Sequence, residues 1–100
     1  MLVRIGSATD VADGQMRVFD IAGTNVNVSN TGGHLYAFDD ACPHVGCSLA
    51  EGRLDGTTVT CPCHASKFDV TSGAVLHGPA RLPVRSRAVQ VEGPDLLAEA

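Results

Sequence analysis

The chain has 100 residues, a formal charge of −4, 44% apolar residues, 4% aromatics and no tryptophan. That length supports one small domain burying only about 60–70% of its unfolded surface, so a metal or cross-link is a common supplement to the core. The acidic balance argues against a nucleic-acid binder, and no apolar run approaches the roughly 20 residues of a membrane helix.

The segment from Met1 to Ser7 lacks the apolar stretch of a signal peptide, so the chain is expected to be soluble and cytoplasmic. Only Thr9 to Asp13 hints at a helical turn. Gln15 to Ala22 alternates, with Met16, Val18 and Phe19 as inward candidates. Gly23-Thr24-Asn25 turns the chain into Asn25 to Ser29, which alternates through Val26 and Val28. Thr31-Gly32-Gly33 then leads into His34 to Phe38, completing an antiparallel meander. Thr57 to Thr60 is a β-branched run, Lys67 to Val70 follows, and Thr71-Ser72-Gly73 turns into Ala74 to Leu76. Val84 to Glu92 reads as the longest late strand, and Gly93-Pro94-Asp95 turns into Leu96-Leu97-Ala98. Short strands at this spacing, with turns between them, predict an all-β sandwich or barrel. The stretch 41–83 concentrates Cys, His, Pro and Gly. It reads as a subdomain inserted into a base formed by 1–40 and 84–100, within a single domain spanning 1–100.

Two clusters in that stretch carry the chemistry. Cys42-Pro43-His44-Val45-Gly46-Cys47 and Cys61-Pro62-Cys63-His64 contain all four cysteines and two of the four histidines. Each follows a strand candidate, which fixes the ends of a ligand-bearing loop. Prolines 43 and 62 stiffen the backbone beside a ligand, and Gly46 permits a positive φ. Six soft or borderline ligands exceed the four of a structural zinc site. Mixed Cys/His pairs suit a two-iron centre in which thiolates hold one iron and imidazoles the other. Spacing alone leaves open which four of the six would be ligands.

The pattern Cys42-x-His44, sixteen residues, then Cys61-x-x-His64 resembles the ligand pattern of Rieske iron–sulfur proteins. Gly52, Phe68-Asp69, Ser72-Gly73, Gly78-Pro79-Ala80 and Pro83 also fall where Rieske ferredoxins carry similar residues. The resemblance implies the Rieske fold and one [2Fe–2S] cluster. Cys42 and Cys61 would hold the inner iron, and His44 and His64 the outer one. Pro79 would belong to a loop covering the cluster. Cys47 and Cys63 match the disulfide-forming pair of quinol-oxidising respiratory Rieske proteins, which many oxygenase ferredoxins lack. Ser66 stands where the respiratory type has a serine whose hydroxyl bonds to a cluster sulfide. Phe68 replaces a tyrosine whose hydroxyl bonds to a ligand sulfur. The implied role is a one-electron carrier and not an enzyme by itself. Its partners would be an NAD(P)H-dependent reductase and a terminal oxygenase of the aromatic-ring dioxygenase type. A respiratory-like or other reductase-linked system is the alternative.

Two other readings of the same residues carry less. A zinc site would have an unusual spacing without Cys-x-x-Cys knuckles. A thiol–disulfide oxidoreductase using Cys61-Pro62-Cys63 would call for a thiolate activated at a helix N-terminus, and no such helix is evident. His34 reads as a solvated turn residue, and His77 as a surface or structural residue beside the proline loop. Asp39 and Asp40 read as turn residues, and Lys67 as a weak candidate for orienting a partner. Arg81, Arg85 and Arg87 read as strand decoration.

Overall fold

The computed structural model describes residues 1–43 and 46–100. Its elements, in chain order, are β1 (Leu2–Ser7), β2 (Met16–Ile21), β3 (Thr24–Thr31) and β4 (His34–Asp39), then a single 3₁₀ turn (Leu49–Glu51). There follow β5 (Arg53–Asp55), β6 (Thr58–Thr60), β7 (Lys67–Asp69), β8 (Val75–His77), β9 (Ser86–Arg87), β10 (Val89–Glu92) and β11 (Asp95–Glu99). They form three antiparallel sheets, ordered β1-β11-β10, β2-β3-β4-β9 and β5-β6-β7-β8. The all-β antiparallel architecture is the one the turn spacing predicts.

The meander β2-β3-β4 is the central layer. Val26 and Val28, both 0% exposed, point to one face, where Ile21, Ala37, Leu96 and Ala98 close a core against the terminal sheet. Phe38 faces the other way. It joins Cys42, Leu49, Val59, Cys61, Phe68, Val70, Ala80 and Val84 in a second core beneath β5–β8. Within that small sheet, Leu54 pairs with Val59, Val59 with Phe68 and Phe68 with Val75, a cross-strand apolar row on the inner face. Arg53, Thr60 and Lys67 occupy the opposite, outward face.

Several local expectations change. The run read as one strand from Val84 to Glu92 is two short strands. Val84 is buried in the second core, β9 pairs with β4, and the chain crosses at Ala88 to pair β10 with β11. Thr9 to Asp13 forms no helix, and its surroundings are fixed by side-chain bonds to neighbouring and distant backbone groups. Asp10 Oδ2 accepts the Ser7 N–H at 2.8 Å and Asn30 Nδ2 donates to the Val11 carbonyl at 2.9 Å. β1 and β5 carry too little alternation to stand out in sequence. Both form through pairing, β1 with the distant β11 and β5 with β6. Arg87 is not surface decoration. It is 7% exposed, its Nε meets Asp39 Oδ1 at 2.5 Å, and its Nη1 donates to the Glu99 carbonyl at 2.9 Å, tying the central and terminal sheets together. Arg81 and Arg85 are exposed.

Candidate metal centre

The two Cys-Pro segments share one backbone solution. In the first, the Gly46 N–H donates to the Cys42 carbonyl at 2.7 Å and the Cys42 N–H donates to the Cys47 carbonyl at 2.9 Å. In the second, the Ala65 N–H donates to the Cys61 carbonyl at 3.2 Å and the Cys61 N–H donates to the Ser66 carbonyl at 2.8 Å. The fifth residue of each has a positive φ, 78° at Gly46 and 61° at Ala65. Cys42 and Cys61, at the start of their loops, are 1% and 2% exposed. Pro62, Cys63, His64 and Ala65 are exposed. His44 lies outside the described residues.

Three contacts bring the loops together. A disulfide joins Cys47 to Cys63, with Cα atoms 6.5 Å apart. The 3₁₀ turn that leaves the first loop ends at Gly52, where a Cβ would lie 1.9 Å from the Thr60 carbonyl oxygen and 3.1 Å from Pro62 Cδ. Only a residue without a side chain allows that backbone to pass the start of the second loop. The third contact ties in the proline loop, in which Pro79 is exposed and Ala80 is 4% exposed. The Ala80 N–H donates to Ser66 Oγ at 3.0 Å. Phe68 packs below, at 0% exposure.

The donor set fits a two-iron cluster. Cys42 and Cys61 are buried and stand outside the disulfide. Ser66, 0% exposed, accepts from Ala80, and its own hydroxyl proton meets no protein acceptor among the described residues. That leaves a buried donor available to a sulfur. A [2Fe–2S] centre divides its protein ligands two to each iron, which a set of two cysteines and two histidines matches. Among the described residues no helix N-terminus supports Cys63 as an activated thiolate, and Cys63 is already cross-linked.

The Rieske [2Fe-2S] domain family matches residues 1–88. This chain belongs to the Rieske [2Fe-2S] domain family. It is 37% identical over 98 residues to the ferredoxin component of biphenyl 2,3-dioxygenase from Rhodococcus jostii (strain RHA1), covering 98% of this chain and 92% of that one. It is 33% identical over 93 residues to the cytochrome b6-f complex iron-sulfur subunit of Chlorobaculum thiosulfatiphilum, covering 93% of this chain and half (50%) of that one. Its fold superimposes on the ferredoxin of carbazole 1,9a-dioxygenase from Nocardioides aromaticivorans IC177 with a TM-score of 0.92, 32% identity and coverage of 98% and 96%. The Rieske domain carries one [2Fe–2S] cluster.

Remaining expectations resolve unevenly. His34 and His77 are exposed, as is Lys67. Asp39 ends β4 rather than lying in a turn, whereas Asp40 sits at a bend, 2% exposed and in a hydrogen-bonded network. Its only sequence signal was position, two residues before the first cysteine.

Proposed function

We propose that this protein is a one-electron carrier that takes electrons from an NAD(P)H-dependent reductase and passes them to a terminal oxygenase of the aromatic-ring dioxygenase type, in the cytoplasm. Cys42 and Cys61 would hold the inner iron of its cluster, and His44 and His64 the outer one. The division into a base (1–40 and 84–100) and a cluster-binding part (41–83) belongs to the same proposal. The observation that carries it is the pair of backbone-equivalent loops, each burying one cysteine, in a chain 37% identical along almost its whole length to a dioxygenase ferredoxin component. The bound cluster supplies a site that accepts and releases one electron. The protein keeps both thiolates dry, presents His64 at the surface and supplies a hydroxyl donor at Ser66. Hydrogen bonds to sulfur favour the more negative, reduced state.

The test is reconstitution. Purified protein should contain iron and acid-labile sulfide in equal amounts, give a Rieske-type spectrum on reduction, and carry electrons from an NADH-dependent reductase of a biphenyl-type dioxygenase system to its oxygenase. Zinc without labile sulfide would end the cluster assignment. An intact cluster that no such reductase reduces would end the partner assignment.

A second reading rests on the Cys47–Cys63 cross-link and on the similarity to a cytochrome b6-f iron-sulfur subunit. It makes the protein the electron-transfer part of a respiratory-like chain. Voltammetry separates the two, since a potential far above that of a flavin reductase favours the second.

A further inference from the structure

We propose that Asp40 is a positioning residue that clamps the first loop and, through its buried charge, lowers the energy gained when the site takes up an electron. This rests on the reading of the loops as cluster ligands.

Asp40 bonds to three parts of the chain. Its N–H donates to the Asn25 carbonyl at 3.0 Å, in β3, and its carbonyl accepts the Leu49 N–H at 2.9 Å, beyond the loop. Its Oδ1 accepts from Asn27 Nδ2 at 3.0 Å and from the Ala50 N–H at 2.9 Å, while its Oδ2 accepts from the Ser48 hydroxyl. Asn27 is itself held by Ser29, whose Oγ donates to Asn27 Oδ1 at 2.8 Å. This explains why β3 is buried on both faces, with Asn27 and Ser29 at 0% exposure despite their polarity. The network joins the central sheet to both ends of the segment 42–47, which the Ala41–Ser48 bridge also closes.

The clamp alone does not call for an acid. An amide in place of the carboxylate would accept the same two N–H groups on its oxygen and donate to the Ser48 hydroxyl, which can rotate to accept. What the aspartate adds is negative charge. Its neighbour Asp39 is neutralised by Arg87, but no cation among the described residues lies within 4.0 Å of Asp40. Burying a charge without a counter-ion is costly. A buried charge is also poorly screened by salt. Two residues from Cys42, it opposes the arrival of an electron.

The test compares Asp40→Asn with Ser48→Ala by voltammetry, with visible circular dichroism confirming the cluster in each. Asp40→Asn removes the charge and keeps the clamp, so the reduced-to-oxidised ratio at fixed potential should rise about tenfold, an upward shift of about 59 mV for one electron. Ser48→Ala keeps the charge and removes a compensating donor, so its potential should fall. A clamp without an electrostatic role would move both variants in the same direction or neither. An unchanged or lowered potential in loaded Asp40→Asn overturns the proposal. If that variant does not load, Ser48→Ala decides alone, with a fall supporting the proposal and a rise or no change overturning it. A wild-type protein without a cluster overturns the underlying reading of the loops, and this proposal with it.

Discussion

Replacing Ser66 by alanine separates the two jobs of its hydroxyl. The oxygen accepts the Ala80 N–H at 3.0 Å, and both residues are buried. Losing the acceptor leaves Ala80 with an unpaired N–H, at a cost of about 1–3 kcal/mol. For a domain of this size that lowers the melting temperature by roughly 5–15 °C. The proposed second job is a bond to cluster sulfur, which would lose its proton donor. If that bond favours the reduced state by about 1 kcal/mol, the potential should fall by about 40 mV for one electron. The assay pairs thermal unfolding followed by circular dichroism with voltammetry. The control is Val59→Ala, which empties part of the apolar row without touching a hydrogen bond and should cost about 2–3 kcal/mol with no change in potential. The reasoning is refuted if Ser66→Ala melts early at an unchanged potential, because the hydroxyl would then serve the proline loop alone. It is equally refuted if Val59→Ala lowers the potential as far as Ser66→Ala does, because loosened packing would then account for both.

Phe68→Tyr supplies the hydroxyl that the resemblance to respiratory Rieske proteins implies and should raise the potential by about 40 mV; voltammetry showing no rise would mean the ring does not present that hydroxyl to sulfur. Gly52→Ala forces a Cβ against the Thr60 carbonyl and should cost about 2 kcal/mol or more, seen as a melting temperature lower by about 10 °C. Alkylation of denatured, unreduced protein should label two of the four cysteines by mass spectrometry, and Cys47→Ser with Cys63→Ser should destabilise the domain by about 3 kcal/mol in denaturant titration. Arg87→Met removes the tie between Asp39 and the Glu99 carbonyl. It should cost about 2 kcal/mol in the same titration, a figure reduced from that of a fully buried pair because Asp39 is partly exposed.

The meander and the two Cys-Pro loops were legible because their signals are local. Turn residues bound β2, β3 and β4, and Cys-Pro pairs mark both loops. Elements that form through distant pairing left little trace. β1 depends on β11, at the other end of the chain, and its own residues alternate weakly. The break at Ala88 is set by a change of partner sheet, so a uniformly β-prone run conceals it. Asp40 failed for a different reason. An aspartate between strand and loop is usually a turn former, and nothing local reveals that Asn27, 13 residues earlier, and Ser48, 8 residues later, converge on its carboxylate. Arg87 was misread likewise, since its burial is decided by Asp39 and by the C-terminal strand.

The equivalence of the two loops shows where the sequence is free and where it is not. Around Gly46 a Cβ would meet nothing among the described residues within 4 Å, and the glycine supplies a positive φ of 78°. Ala65 takes the same role at 61° with its methyl group in place, a choice that costs roughly 1–2 kcal/mol relative to glycine. Such a conformation persists only where its surroundings over-determine it. Here they do: the Ala65 N–H is held by the Cys61 carbonyl, Cys63 is cross-linked to the first loop, and Ser66 is fixed beneath Ala80. The second loop is therefore braced on each side of the exposed His64, and the Asp40 network holds the chain at both ends of the first loop. A stiff loop keeps its ligand geometry when the electron arrives, which limits the reorganisation that each transfer requires. On this argument the disulfide belongs to the electron site as much as to the stability of the domain.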